Sequence, residues 1–113
     1  MMQRVSKYDY DNIIYISHAY GDDKKNLREI EIIIKKLHDK YPTYLFISPV
    51  HAFGHMYNYT DYDKRLSYAL FLLDTLADEM WYCPDDESKG IAAEIEYCKE
   101  YNIPFKTVEE MLQ

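Results

Sequence analysis

Apolar positions along the chain fall into two alternating kinds of run. Asn12-Ile13-Ile14-Tyr15-Ile16-Ser17 is short, β-branched and almost wholly apolar, which suits a strand buried on both faces. Over 23–40 the spacing turns helical: Leu27, Ile30, Ile33, Ile34 and Leu37 form one stripe, with Lys24, Arg28, Glu31 and Lys35 off it. Tyr41-Pro42 ends that helix, and Tyr44-Leu45-Phe46-Ile47 is a second apolar strand stopped by Ser48-Pro49. A second long helix is predicted over 61–76, with Leu66, Ala69, Leu70, Leu73 and Leu76 inward, and a third strand over 78–83. A helix over 91–101 turns Ile91, Ile95 and Cys98 inward. A short fourth strand covers 103–106, and Thr107 with Glu110 forms a capping box for a last helical turn. Residues 1–11, polar and tyrosine-rich, read as a loosely ordered lead-in.

Strands alternating with helices imply an α/β domain with a parallel sheet covered on both faces. The expectation is one domain over 1–113, a flavodoxin/Rossmann-like three-layer sandwich of about four strands with right-handed crossovers. In such sheets ligands bind beyond the carboxyl ends of the strands, where the strand order reverses. The loops 17–23, 48–60 and 83–90 should meet there. The middle one, SPVHAFGHMYNYT, reads as a long irregular loop, and long loops in compact domains are often functional.

Charge narrows the ligand. Lysine plus arginine number 13 and aspartate plus glutamate 20, a net −7 over 113 residues. That balance excludes a binder of polymeric nucleic acid, which needs a basic surface to displace counterions. It leaves room for a small phosphorylated ligand at one helix end. Cys83 and Cys98 make neither a disulfide framework nor a metal set. The longest aliphatic run is Ile32-Ile33-Ile34, and no apolar leader is visible, so a cytoplasmic protein with reduced thiols and no membrane partner is expected.

Chemistry concentrates in Ser88-x-Gly90-x-x-x-Glu94, which follows a strand and opens a helix. A serine hydroxyl, a glycine backbone and the first helical N–H groups make an anion cradle, with Glu94 in the next turn near the same crevice. The plainer reading makes Ser88 an N-cap and Glu94 a surface carboxylate. Lys89 can add charge to the cradle. His18 and His51 read as lining the strand ends, as phosphate donors or as acids for a leaving group, or as ordinary loop histidines. His51-x-x-x-His55 would suit a metal only on a helix, and Pro49 and Gly54 argue for a loop, so no metal is expected. There is no G-x-G-x-x-G fingerprint and no Walker loop, and no cofactor is expected. Tyrosine occurs 13 times. Phe53, Tyr57, Tyr59 and Tyr62 cluster in and after the 48–60 segment, either as a stacking lid over a base or as interface packing. Tyr68, Tyr97 and Tyr101, on helices, suit an interface or partial core better.

Ile14-Tyr15-Ile16-Ser17, Ala77-Asp78 before the third strand, and Ser88-Lys89-Gly90-Ile91-Ala92-Ala93-Glu94 together resemble the nucleoside 2-deoxyribosyltransferases. The similarity is greater to their branch that hydrolyses 2′-deoxynucleoside 5′-monophosphates. Ile47-Ser48-Pro49-Val50-His51-Ala52-Phe53-Gly54 and Glu94-Ile95-Glu96-Tyr97-Cys98 resemble small bacterial and phage members of that superfamily. The resemblance spans roughly residues 12–107. It implies Glu94 as the nucleophile at C1′, Tyr15 as its positioning hydroxyl, and Ser88 with Gly90 as a 5′-phosphate cradle. Ser17, His18 and Lys89 fall beside that cradle, and His51, Phe53, Tyr57, Asp85 and Asp86 fall at base or lid positions. It also implies a homodimer or higher homo-oligomer with shared pockets. The sequence departs from the pattern at Leu70, where active members carry an aspartate.

Two functions follow as expectations. One is cleavage or exchange of an N-glycosidic bond in a nucleoside, nucleotide or ADP-ribose-type ligand. The alternative is a non-catalytic module that senses or sequesters a nucleotide signal, as a phage anti-defence sponge would. A purely structural domain is a third possibility.

Overall fold

Strand β1 (Asn12–Ser17) is the strand on which the rest of the protein is assembled, because neither of its faces meets solvent. The computed structural model describes residues 2–19, 24–84 and 88–113. In chain order the other elements are α1 (Lys24–Lys40), β2 (Tyr44–Ile47), α2 (Pro49–Phe53), α3 (Tyr62–Leu76), β3 (Glu79–Tyr82), α4 (Lys89–Glu100), β4 (Phe105–Thr107) and α5 (Val108–Leu112). The four strands are parallel in the order β2-β1-β3-β4. The expected Rossmann-like α/β sandwich is therefore the observed one. No helix among the described residues is long and apolar enough to cross a membrane.

Alternation along the strands separates two cores. Ile14, Ile16 and Trp81 point to one layer, against Ile30 and Leu37 of α1 and Val108 of α5. Tyr15 and Met80 point to the other, against Leu73 of α3 and Cys98 of α4. In the first layer Trp81 packs among Tyr41, Phe46 and Tyr44 at centroid distances of 5.4, 5.9 and 6.2 Å. The Tyr41 hydroxyl donates to the Met111 carbonyl at 2.9 Å, fastening α5 to the end of α1. At the amino ends of the strands, Asp78 clamps Ile13 twice, through Oδ2 and through its own N–H, each at 2.8 Å. The chain leaves α4 through Asn102 at φ 58°, the left-handed residue that lets Ile103 N–H return to the Cys98 carbonyl at 2.9 Å.

Two segments are more ordered than the sequence pattern suggests. The 48–60 stretch is not an irregular loop: it folds into α2 and a 3₁₀ turn over Gly54–Tyr59. Ser48 caps α2 by accepting from His51 N–H, and Pro49 sits in its first turn, where a missing N–H costs nothing. A strand stop and a helix start are thus the same dipeptide, and a helix of five residues is too short for periodicity to reveal. In the lead-in, Ser6 and Asp9 form a capping box on a turn at Lys7–Asp9, and Thr43 Oγ1 donates to Asp11 Oδ2 at 2.6 Å.

The two-layer core makes a sharp stability contrast on one helix. Leu73 is fully buried and Phe71, two residues before it, is 70% exposed. Leu73→Ala is expected to lower unfolding free energy by about 3 kcal/mol, and Phe71→Ala by less than about 0.5 kcal/mol, measured by urea unfolding. Equal effects would contradict the assigned α3 face.

A candidate active site at the ends of β1 and β3

Strand order reverses between β1 and β3, and a cavity of about 370 Å³ lies beyond their carboxyl ends. That volume is within the range of small-molecule sites. Its floor comes from Tyr15, one of the side chains β1 turns toward α3 and α4, and from Glu94 in the second turn of α4. Glu94 is a carboxylate on an otherwise apolar inner face, and only 7% of it is exposed. Ser17 Oγ, fully buried, donates to Glu94 Oε1 at 3.3 Å. The other oxygen, Oε2, and the Tyr15 hydroxyl are both buried and have no hydrogen-bond partner. A pair of unpartnered polar atoms in a core is costly, and at the base of a cavity it is the arrangement expected of reacting groups.

Burial sets the protonation chemistry. It pushes Glu94 up to about 7, an effect that the neighbouring Tyr15 and Ser17 hydroxyls only partly offset. Burial also raises Tyr15 well above the ordinary phenol range, and the Glu94 charge adds to that rise. Tyr15 therefore stays a neutral hydroxyl next to a carboxyl poised between its two forms at neutral pH. Leu70 contributes to this dryness. It packs against the cluster containing Tyr15, where the family resemblance would place an acid.

The walls come from three helices. The start of α4 supplies Ser88, Lys89 and Gly90. Ser88 is the N-cap of α4, its Oγ accepting from Ile91 N–H at 3.0 Å, so the capping role and the cavity position coexist in one side chain. A Cβ built on Gly90 would lie 3.6 Å from Ser88 Oγ and 4.0 Å from Glu94 Oε1. The glycine thus marks the gap between the cap and the carboxyl, and the protein's own packing does not forbid a larger residue there. Pro49, Val50, Phe53 and Tyr57 line the side made by α2 and the 3₁₀ turn, and Tyr62, Arg65, Leu66 and Ala69 line the α3 side. His18 lines the edge, 8% exposed, with Nδ1 2.6 Å from the Ala19 carbonyl and Nε2 3.4 Å from Glu29 Oε2.

Most of the sequence-selected residues converge here; Ser17, His51 and Tyr59 do not, and Tyr59 is 85% exposed. Ser17 lies beneath Glu94 and bonds to it; it does not line the cavity. His51 is a correction: it faces away, with Nδ1 2.7 Å from Ser48 Oγ and Nε2 3.1 Å from Glu31 Oε1. On a helix, Pro49, Val50 and Phe53 share one side and His51 takes the other. Asp85 and Asp86 lie outside the described residues. Arg65 was not selected from sequence, because its neighbour Leu66 marked the core face of α3; the 62, 65, 66, 69 spacing of one helical face was the available signal. Among the described residues, no group of three His, Cys, Asp or Glu side chains is placed to share a metal.

No protein-family model, curated protein or solved structure matches the chain.

The carboxyl burial has a pH signature. The folded-state value, about 7, lies above the ordinary 4.5, so the folded protein keeps a proton there that the unfolded chain has lost. Stability from this group is fully present below pH 4.5 and is lost as pH rises through 7, by at most about 3 kcal/mol. Glu94→Gln removes the titration. Its melting temperature relative to the natural protein should therefore rise from pH 5 to pH 8. A constant difference across that range would show that Glu94 is solvated.

Proposed function

We propose that the protein binds a nucleoside or nucleotide in this cavity and cleaves or exchanges its N-glycosidic bond through Glu94. The observation that carries this reading is the unpartnered pair, Glu94 Oε2 and Tyr15 Oη, buried at the floor of a cavity walled by aromatic rings. A carboxylate so placed can capture an oxocarbenium-like carbon as the C–N bond breaks, forming a glycosyl ester while the base departs with the bonding electrons. A proton on the departing base comes from solvent. Attack on the same carbon by water or by the nitrogen of a second base then frees Glu94. The Tyr15 hydroxyl lies beside the carboxylate and is placed to orient it by donating once a ligand closes the geometry. Phe53, Tyr57 and Tyr62 offer faces on which a base stacks, and Ser88 with the start of α4 suits an anionic group.

Incubation with a panel of 2′-deoxynucleosides, their 5′-monophosphates and ADP-ribose-type compounds should release free base. Glu94→Ala should lower that rate by more than about 10³-fold. Because the nucleophile must be ionised, the rate should rise with pH through about 7. Release of base by Glu94→Ala at the natural rate would reject the mechanism.

A second reading is supported by Leu70. An apolar residue in place of an acid leaves Glu94 drier and partly protonated at neutral pH, which favours binding without efficient turnover. It is distinguished by ligand-induced thermal stabilisation with no base released. Gly90→Ala tests the cradle under either reading. Alanine is the better helix former, so stability should hold or rise by up to about 1 kcal/mol. The new methyl fills the gap beside Ser88 and Glu94, so the ligand-induced shift should shrink. An unchanged shift would move the ligand away from that gap.

A further inference from the structure

Arg65, from α3, and Lys89, from the start of α4, both line the cavity. The Lys89 ammonium, from α4, sits 4.5 Å over the Tyr62 ring of α3. Tyr62 and Arg65 are three residues apart on α3, so they share a face, and both cations border the same cavity. Neither forms a salt bridge with a carboxylate among the described residues. The Arg65 guanidinium is also pre-positioned. It lies 4.1 Å over the Tyr57 ring, and its Nη1 donates to the carbonyls of Tyr57 and Thr60. Those bonds use one corner of the fork. The Nε–Nη2 edge, the one that grips an oxyanion with two parallel bonds, has no partner among the described residues. Bringing two like charges to one cavity is unfavourable in itself. It becomes favourable when an anion bridges them.

We infer that Arg65 and Lys89 form a two-cation clamp that selects ligands bearing a phosphate-type anion over their neutral counterparts, with Arg65 the specificity-determining residue. This rests on reading the cavity as a nucleoside or nucleotide site. It adds to that reading an anion contact on α3, Arg65, facing Lys89 at the start of α4 across the cavity lining.

The test is a titration calorimetry series on the full chain with a 2′-deoxynucleoside, its 5′-monophosphate, ribose 5-phosphate and inorganic phosphate. The natural protein should bind the monophosphate about 10- to 100-fold more tightly than the nucleoside, with affinity falling as salt is raised. Arg65→Gln should bring that ratio close to one. Arg65→Lys should restore only part of the preference, because it keeps the charge and loses the fork. Should Arg65→Gln fail to fold, since it also anchors Thr60, Lys89→Gln carries the same test with a smaller loss of preference. A monophosphate preference that survives both Gln substitutions, or no preference in the natural protein, overturns the clamp and leaves the nucleoside reading standing. Arg65-dependent binding of ribose 5-phosphate or inorganic phosphate, with base-bearing compounds no better, supports the clamp and overturns the nucleoside reading. No binding of any of the four overturns both.

Discussion

One carboxyl group kept out of water sets the terms for the chemistry of this protein. Glu94 stands where α4 packs over the end of β1, and the elements that make the sheet also remove its solvent. A charge in that position is expensive, and a single serine hydroxyl at 3.3 Å does not offset the loss of hydration. The protein offers the Tyr15 and Ser17 hydroxyls in compensation, and they offset the loss only in part. It places an unpartnered phenol beside the carboxyl and packs Leu70 into the same cluster. Destabilisation confined to a cavity floor, within an otherwise well-packed core, is the pattern expected where function and stability compete.

The walls treat charge differently from the floor. A surface of net −7 repels anions at long range, so any anionic ligand must be won by local contacts. The cavity answers with cations attached to rings. Tyr57 and Tyr62 lend their faces to Arg65 and Lys89, which gives each tyrosine a role in addition to any stacking on a base. Other tyrosines serve packing: Tyr41 and Tyr44 stack 5.0 Å apart beneath the first layer, and Tyr97 pairs with Tyr101 at 4.5 Å on α4.

Much of the fold was legible in the sequence, because a parallel sheet buried on both faces leaves continuous apolar runs, and two long helices leave stripes. The Thr107–Glu110 box and the Ser88 cap were legible for a different reason: capping is decided by residues a few positions apart. What escaped lies where one residue serves two masters. Ser48-Pro49 ends a strand and starts a helix, and only tertiary packing of Val50 shows the second role. His51 was drawn toward the cavity by its segment, but the helical rotation of about 100° per residue turns it toward Glu31. Arg65 hid beside Leu66, since an amphipathic stripe flags the apolar neighbour and passes over the cation at its border. Glu94 was legible through its spacing from Ser88 and Gly90 and through the family resemblance, while the helix stripe pointed to Ile91, Ile95 and Cys98 and did not reveal that Glu94 is buried with Ile91 and Cys98.

The strict alternation of β3 has an optical consequence. Trp81 is the chain's one tryptophan, and it points into the layer formed with α1 and α5, while its neighbours Met80 and Tyr82 point toward α3 and α4. Its indole is buried among Tyr41, Tyr44 and Phe46, on the side of the sheet opposite the cavity floor. Emission from this residue should be blue-shifted and fed by energy transfer from the stacked tyrosines. It reports the integrity of the far layer and is shielded from whatever enters the cavity, so the protein carries its own fluorescent gauge of folding that a ligand leaves largely unperturbed.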